Sequence, residues 1–258
     1  MDVTDMIDYN LDILNRNNLT SSFFHLDRND PTIGFPFDAS TLSGHTFSTT
    51  NLQTPSPYSS TPASPSAEDE LSLRLLLGSH LARYMRHHLE EQKGYTSTVG
   101  ISTNKLLAKL VGNVNKPKGQ TTLVPPYVST PDGEATSNVN LFLDSHDIGK
   151  VPGIGFKTAQ RVRHHILELP AAFDSGLVYG GTKESVSVGD VRLHDDLNAD
   201  VLERLLAGSG VPRGLGEKVW ALIHGVDDSE VGTAKDVPQQ ISIVESHWST
   251  KHVCGVSG

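Results

Sequence analysis

The sequence predicts an α+β fold, and three observations support this class. A long segment with helical spacing of apolar residues ends at Gly94, a strand–helix–strand pattern covers residues 96–124, and a mostly helical block follows residue 140. Helices that pack on one side or at one end of a small sheet give this class of fold. The chain has 258 residues, of which 36% are hydrophobic, so it can bury one modest core or two small ones.

The first of these segments is predicted to be one long amphipathic helix. Acidic residues at positions 68–70 suit a helix N-terminus, and Gly94 offers a stop. Between these two signals, apolar side chains recur at helical spacing and define one face of the helix: Leu71, Leu75, Ala82, Met85 and Leu89.

A sheet layer is predicted directly after this helix. Residues 96–101 are expected to form a strand, Ser102 to cap a helix over residues 103–114, and residues 120–124 to form a second strand. A helix between two strands is consistent with the α+β class.

Serine, threonine and proline dominate residues 40–66, where they fill 18 of 27 positions. Such a stretch cannot bury enough apolar surface to offset its ordering entropy, which predicts a disordered insertion. Residues 127–140 and 170–185 are also rich in turn residues and bracket a short helical block. A last pair of helices is expected near residues 199–207 and 215–224. The helical block and this pair together suggest a small, separate helical domain.

Charge is distributed unevenly along the chain. The net charge is −9, but residues 74–165 carry 12 Lys or Arg against 6 Asp or Glu. A basic central block is what contact with phosphates requires, although a solvated helical face would have the same composition. There is no run of about 18 apolar residues and no signal-peptide pattern, so we expect neither a membrane partner nor secretion.

The strongest local motif is IGKVPGIGFKTAQRV, in which two predicted helices are joined by a tight Gly-x-Gly turn. It resembles a helix-hairpin-helix. Gly153 and Gly155 permit backbone angles and a close approach that a Cβ atom would obstruct. The amides of the turn and of the next helix's N-terminus can then meet a phosphate.

Contacts of this kind hold the DNA backbone without reading its sequence. Lys150, Lys157 and Arg161 can add positive charge around the turn, and the small Ala159 allows the helices to pack closely. A plain helical turn without a role in DNA binding is the alternative.

A second motif is GISTNKLLAKL, followed by NKPKGQT. Lys105 and Lys109 are four residues apart and share one side of the predicted helix, while Lys116 and Lys118 flank a proline that ends it. Together these lysines can meet a polyphosphate or a DNA backbone. Lysines on an amphipathic helix are, alternatively, often only solvent-facing.

The order of four segments resembles that in Y-family (UmuC-type) translesion DNA polymerases. These segments are DVTDM, LRLLLGSHLARYMR, GISTNKLLAKLVGNVNKPKGQTTL and VPGIGFKTAQRV. The resemblance implies a partial palm domain over residues 1–128 with the insertion at 40–66, and a small helical thumb over residues 129–232. It places a helix-hairpin-helix at residues 142–167 and the beginning of a little-finger domain at residues 233–258.

The resemblance also implies roles for individual residues. Lys116 falls on the lysine that contacts the incoming deoxynucleoside triphosphate, and Lys105 and Lys109 lie in the adjoining segment. The hairpin around Gly153, Gly155, Lys157 and Thr158 is expected to lie against the backbone of template-primer DNA.

Catalysis in this family needs Mg²⁺ ions held by carboxylates. The resemblance places those carboxylates before residue 1, so we expect no catalytic or metal-binding residue in this chain and no independent nucleotidyl transfer. Asp2, Asp5 and Asp8 are assigned structural roles. The chain thus resembles a polymerase that is truncated at both ends, and the truncation can be biological or an error in the gene structure.

The function predicted from these features is part of a DNA-directed DNA polymerase for translesion synthesis and DNA repair, located in the nucleus. Recruitment by a replication clamp is conceivable for the full-length protein. Two alternatives stay open: a non-catalytic DNA-binding fragment, and a product that cannot fold stably because its palm sheet has an unpaired edge.

Overall fold

The computed structural model describes residues 1–48, 67–129, 137–169 and 185–232. Both strands and helices occur, as the predicted α+β class requires. The first part contains, in order, α1 (Thr4–Asp12), β1 (Ser22–His25), β2 (Gly34–Phe37), β3 (His45–Phe47), α2 (Ala67–Lys93), β4 (Val99–Ile101), α3 (Lys105–Val111) and β5 (Gln120–Leu123). The second part is helical, with α4 (Asn138–Asp144), a 3-10 helix (Ile148–Lys150), α5 (Phe156–Leu167), α6 (Val188–Arg192), α7 (Ala199–Leu206) and α8 (Leu215–Ile223).

A three-stranded sheet forms the centre of the first part. Its order is β3-β5-β4, and β5 pairs in parallel with both neighbours. The predicted strand–helix–strand unit is therefore confirmed as β4-α3-β5. Gly100 in β4 is required by close packing, because a Cβ atom there would lie 2.0 Å from the carbonyl oxygen of Ala108 in α3.

The structure corrects the prediction for residues 40–66. Residues 45–47 form β3, which pairs with β5 from His45 opposite Thr121 to Phe47 opposite Leu123. The buried Gln120 side chain donates to the carbonyl of Ser43 at 2.7 Å, which fixes the chain before the strand. Neighbouring hydrogen-bonding groups thus order a segment whose composition alone predicted disorder, and residues 49–66 lie outside the described residues.

The helix predicted before Gly94 is confirmed as α2, but its apolar face is buried only in the first half. Leu75 and Ala82 are buried, whereas Met85 is 43% exposed and Leu89 is 38% exposed. The second half of α2 extends past the core. The regular spacing of apolar residues therefore predicted the helix but overestimated the length of its buried face.

Helix α3 is shorter than the predicted span 103–114, and Ser102 is not its cap. Asn104 is the N-cap residue, and its side chain accepts a hydrogen bond from the Leu107 amide at 2.9 Å. Asparagine and serine are both common at this position, so the cap signal was off by two residues.

The β1-β2 hairpin has no counterpart in the sequence prediction. It packs against α1 and α2 in a hydrophobic cluster of its own, whose buried members are Ile7, Leu11, Phe24, Leu73, Leu77 and Leu81. The ring of Phe24 stacks on that of Phe35 across the hairpin, with 5.1 Å between centroids. This cluster lies on the N-terminal part of the long helix.

A second, larger hydrophobic cluster joins α3 and β5 to the helices that follow. Leu107 and Leu123 belong to it together with Leu143, Val162 and Leu222. The last two helices agree closely with the pair predicted near residues 199–207 and 215–224. The domain boundaries at residues 128 and 232 stay predictions, and the expected little-finger segment lies outside the described residues. None of the helices in the described parts is long and apolar enough to cross a lipid bilayer.

Candidate nucleotide cleft and DNA-binding turn

A cleft of about 600 Å³ lies beside α3 and the start of the chain. Lys105, Lys109 and Lys116 all line it, so the structure brings together three of the four lysines that the sequence singled out there. We call this site the lysine cleft. Among the described residues, neither Lys109 nor Lys116 takes part in an ion pair.

The position of Lys105 and Lys109 follows from the amphipathic pattern of α3. Leu106, Leu107 and Leu110 are buried in the large cluster. The two exposed lysines, four residues apart, therefore share the opposite side of the helix. Helix packing thus places both lysines in the lining of the cleft.

Lys118 has a different environment from Lys116, although only Pro117 separates them. Its ammonium group forms an ion pair with Glu90 in α2. This contact ties the loop before β5 to the long helix. Lys118 does not line the lysine cleft.

One acidic residue, Asp2, lies among the residues that line the cleft. Its carboxylate accepts hydrogen bonds from the Thr4 amide at 3.0 Å and the Thr4 hydroxyl at 2.7 Å, and these bonds lower the pKa of Asp2. A pair of Mg²⁺ ions needs several carboxylate oxygens. The residues that line the cleft therefore do not fit such a pair, and we assign no metal-dependent step to them.

Asp8, an acidic residue of α1, has a structural contact. The Asp8 carboxylate pairs with Arg74 of α2 at 2.7 Å, which holds the two helices together. Elsewhere in the parts of the chain that the structure describes, no three His, Cys, Asp or Glu side chains come together as a group that could hold a metal ion.

The Gly-x-Gly turn lies between the 3-10 helix and α5. The sequence predicted a helix on each side of this turn. On the N-terminal side the prediction is wrong, because a single 3-10 turn, and not an α-helix, directly precedes Val151. Gly155 is the N-cap of α5, so the amides of the first helical turn follow it immediately. Lys157 is exposed and Thr158 is half-buried in that turn.

The two glycines of the turn differ in their surroundings. Gly153 has a φ of +93°, and a Cβ atom there would lie 3.0 Å from Cδ1 of Leu222 in α8. Gly155 has an ordinary φ of −73°, and nothing lies within 4 Å of the position of its Cβ atom. The expectation of special backbone angles holds for Gly153 and is wrong for Gly155.

Arg161 makes a contact with the end of α7 that the sequence did not indicate. Its guanidinium donates to the carbonyl of Leu206 at 2.7 Å and so closes the end of α7. A hydrogen bond to a neutral carbonyl leaves the guanidinium charged, so the contribution of Arg161 to DNA binding stays a prediction. Ala159 is fully buried, as its predicted packing role requires.

Asp147 caps the 3-10 helix that precedes the turn, and no pattern in the sequence indicated this role. Its carboxylate caps the 3-10 helix by accepting from the Gly149 amide at 2.8 Å, and it also pairs with Arg163. Ser185 donates to the same carboxylate at 2.9 Å. Burial alone would raise the pKa of Asp147, but these bonds and the Arg163 charge outweigh burial and lower it.

Comparison with known proteins assigns the first part of the chain. Residues 2–113 match the family model described as IMS, the impB/mucB/samB family. These residues are therefore similar to this polymerase family, and we call them the Y-family segment. The resemblance predicted from the order of its motifs is thereby confirmed over this segment, which includes Lys105 and Lys109.

Several curated polymerases are similar to this Y-family segment. Human DNA polymerase iota is 42% identical over 92 residues, which are 36% of this chain and 11% of the human protein. DNA polymerase IV of Staphylococcus haemolyticus (strain JCSC1435) is 39% identical over 90 residues, or 35% of this chain and 22% of that protein. The matched residues thus span about a tenth to a fifth of these relatives.

A solved structure entitled "Dbh Ternary Complex (substrates partially disordered)" is 21% identical to the chain. The structural match covers 62% of this chain and 37% of the chain in the solved structure, with a TM-score of 0.39.

The start of α3, which lies in the Y-family segment, makes a contact with a distant part of the chain that the sequence did not reveal. Residues 225–231, which directly follow α8 and which we call the α8 tail, lie against the start of α3. The Asn104 side chain donates to the Gly225 carbonyl at 2.8 Å, and the Leu106 amide donates to the Asp227 carboxylate at 3.1 Å. These partners are 121 residues apart, so no local pattern could have indicated the contact.

Proposed function

We propose that this chain is part of a DNA-directed DNA polymerase for translesion synthesis and DNA repair, acting in the nucleus. In this proposal the lysine cleft holds the triphosphate of an incoming deoxynucleotide, and the Gly-x-Gly turn holds the backbone of template-primer DNA. The single observation that carries the proposal is the convergence of Lys105, Lys109 and Lys116 on one cleft beside a Y-family segment.

The charge of the cleft supports a polyphosphate ligand. Three lysines line it against one acidic residue, Asp2, whose carboxylate is already bonded to Thr4. A triphosphate presents several anionic oxygens in a row, and lysines bind phosphates as point charges. Lys116 would then contact the triphosphate, and Lys109 would contribute a second positive charge to the same cleft.

The turn supports a second candidate function, a non-catalytic module that binds duplex DNA. The open space at Gly155 leaves room for a phosphate against the first amides of α5, and Lys157 adds a nearby positive charge. Such binding would be independent of base sequence and would weaken as salt increases. The polymerase proposal requires both sites, whereas this candidate requires only the turn.

Nucleotide binding is tested with Lys116→Ala in the full chain, and Lys118→Ala is the matched control. We expect Lys116→Ala to raise the Kd for a deoxynucleoside triphosphate about fivefold, which corresponds to about 1 kcal/mol for one exposed charged contact. Lys118→Ala should leave that Kd unchanged, because Lys118 faces Glu90. The Kd is measured by titration with a fluorescent deoxynucleotide.

Duplex DNA is titrated in parallel as the second ligand. A chain that binds duplex but no triphosphate would contradict the polymerase proposal and favour the DNA-binding module. Equal losses for Lys116→Ala and Lys118→Ala would show that general charge, and not the cleft, attracts the nucleotide.

A further inference from the structure

The α8 tail makes three hydrogen bonds to consecutive residues at the start of α3. Asn104 donates to the Gly225 carbonyl, the Leu106 amide donates to Asp227, and the Lys105 ammonium group donates to the Glu230 carbonyl at 3.1 Å. Val231, the last residue of the tail, lines the lysine cleft itself. The tail is thus in contact both with the helix that carries the lysines and with the cleft.

Asp227 and Asn104 together satisfy the first amides of α3. Asn104 accepts from the Leu107 amide at 2.9 Å, and Asp227 accepts from the neighbouring Leu106 amide. Helix N-termini leave such amides without partners inside the helix, and a carboxylate there is also favoured by the helix dipole. α3 has only seven residues, so the fixation of its first turn orients the whole helix.

The electrostatic environment of Asp227 fits this role. Burial alone would raise the pKa of Asp227, but hydrogen bonds from Ser229, the charge of Lys105 and the bond from the Leu106 amide lower it. Asp227 therefore stays ionised at neutral pH. Its negative charge faces Lys105, whose ammonium group is held in turn by the Glu230 carbonyl.

The tail also continues the helix that supports the DNA-binding turn. Leu222 in α8 lies next to the turn, because a Cβ atom at Gly153 would be 3.0 Å from its Cδ1 atom. The tail begins three residues after Leu222, at Gly225. A Cβ atom at Gly225 would lie 2.3 Å from Val139 and 3.5 Å from Leu107, so the tail is packed tightly between α4 and α3. The start of α3 is therefore fixed by a well-packed element and not by a loose loop.

We propose that Asp227 and Asn104 are positioning residues for nucleotide binding, because they hold the lysine-bearing face of α3 at the cleft. This inference rests on the proposed function of the lysine cleft. Neither residue needs to touch the nucleotide. The α8 tail would hold Lys105, while Lys109 and Lys116 are left to meet the phosphates.

The test compares Asp227→Ala with Asp227→Asn and with Asp228→Ala in the full chain. Asp228 is an exposed neighbour with the same charge, which makes it the matched control. For each variant we would measure hydrogen exchange at the Leu106 amide, the Kd for a fluorescent deoxynucleoside triphosphate, and the Kd for duplex DNA.

Asp227→Ala should speed exchange at Leu106 and raise the triphosphate Kd about fivefold, since a lost helix cap loosens the first turn. Asp227→Asn keeps an oxygen that can accept from the amide and should restore both values to within about twofold of wild type. Asp228→Ala should change neither value. Duplex binding should be the same in all variants, which shows that the chain remains folded.

Two results at Leu106 and in nucleotide binding would overturn the inference, and a third result, in duplex binding, would count against it. One is unchanged exchange at Leu106 in Asp227→Ala, and the other is faster exchange with an unchanged triphosphate Kd. Parallel loss of duplex binding would also count against it, because the effect would then be general unfolding. Failure of the wild-type chain to bind triphosphate is a separate result, which refutes the proposed function itself.

Discussion

Gly153 and Gly155 occupy one turn, yet their substitution should have different effects. Alanine at position 153 would have to adopt a φ of +93° and approach Leu222 to 3.0 Å. We expect Gly153→Ala to lower the free energy of unfolding by about 1 to 2 kcal/mol, the usual cost of a left-handed non-glycine residue. Gly155→Ala meets no neighbour and should change that free energy by less than about 0.5 kcal/mol.

Urea unfolding of both variants measures these free energies, and titration with duplex DNA measures binding. If a phosphate approaches the turn at Gly155, Gly155→Ala weakens duplex binding without loss of stability. If Gly155→Ala and wild type bind duplex DNA with equal affinity, DNA does not contact the turn at Gly155. If both variants lower the free energy of unfolding by the same amount, the expectation based on the different surroundings of the two glycines is wrong.

Single residues could be predicted from the sequence where their role depends on near neighbours. The spacing of Lys105 and Lys109 indicated a shared helix face, and the Gly-x-Gly pattern indicated the turn. Asp147 and Asp227 gave no such signal. Asp147 meets Arg163 from another helix, and Asp227 meets Leu106 across 121 positions, so only the folded chain brings the partners together.

At the level of elements, the 3-10 helix depends on one carboxylate. Asp147 caps it, accepts from Ser185 and pairs with Arg163, whose side chain is only 8% exposed. Asp147→Asn should lower the free energy of unfolding at pH 7 by about 2 to 3 kcal/mol, because it leaves the buried guanidinium without its charged partner.

The sign of the pH dependence follows from the lowered pKa of Asp147. The carboxyl is more acidic in the folded chain than its ordinary value of 3.8, so its stabilising effect is fully present above about pH 4 and declines as pH falls through the folded pKa. Urea unfolding of wild type and Asp147→Asn at pH 7 and near pH 3 checks this. The difference between them should shrink at the lower pH, and a constant difference would show that ionisation is not its cause.

Elements with a regular apolar pattern were predicted well, and elements that are stabilised by contacts with distant parts of the chain were not. Helices α2, α7 and α8 and strand β5 agree with the sequence, because spacing and capping signals lie within each element. The hairpin of β1 and β2 has only four residues per strand, and it owes its order to the hydrophobic cluster that it forms with α1 and α2. Strand β3 has three residues and owes its order to β5.

At the scale of the whole molecule, the large hydrophobic cluster crosses the boundary predicted between palm and thumb. Leu107 of α3 and Leu143 of α4 both belong to it, although the boundary at residue 128 separates them in sequence. The sequence indicated a separate helical domain because turn-rich stretches flank it. Turns show where elements end, but they carry no information about which apolar faces pack together.

Leu143→Ala tests whether this shared core makes the two parts unfold together. The residue is fully buried, so we expect a loss of about 2 to 5 kcal/mol in the free energy of unfolding. Because Leu143 and α3 share one core, amide hydrogen exchange should accelerate in α3 as well as in α7 and α8. Phe24→Ala, in the separate cluster around the hairpin, is the control and should accelerate exchange mainly in α1 and α2. If Leu143→Ala left α3 as protected as in wild type, the helical part would be an independent folding unit, and the α8 tail would be a contact between two domains instead of part of one core.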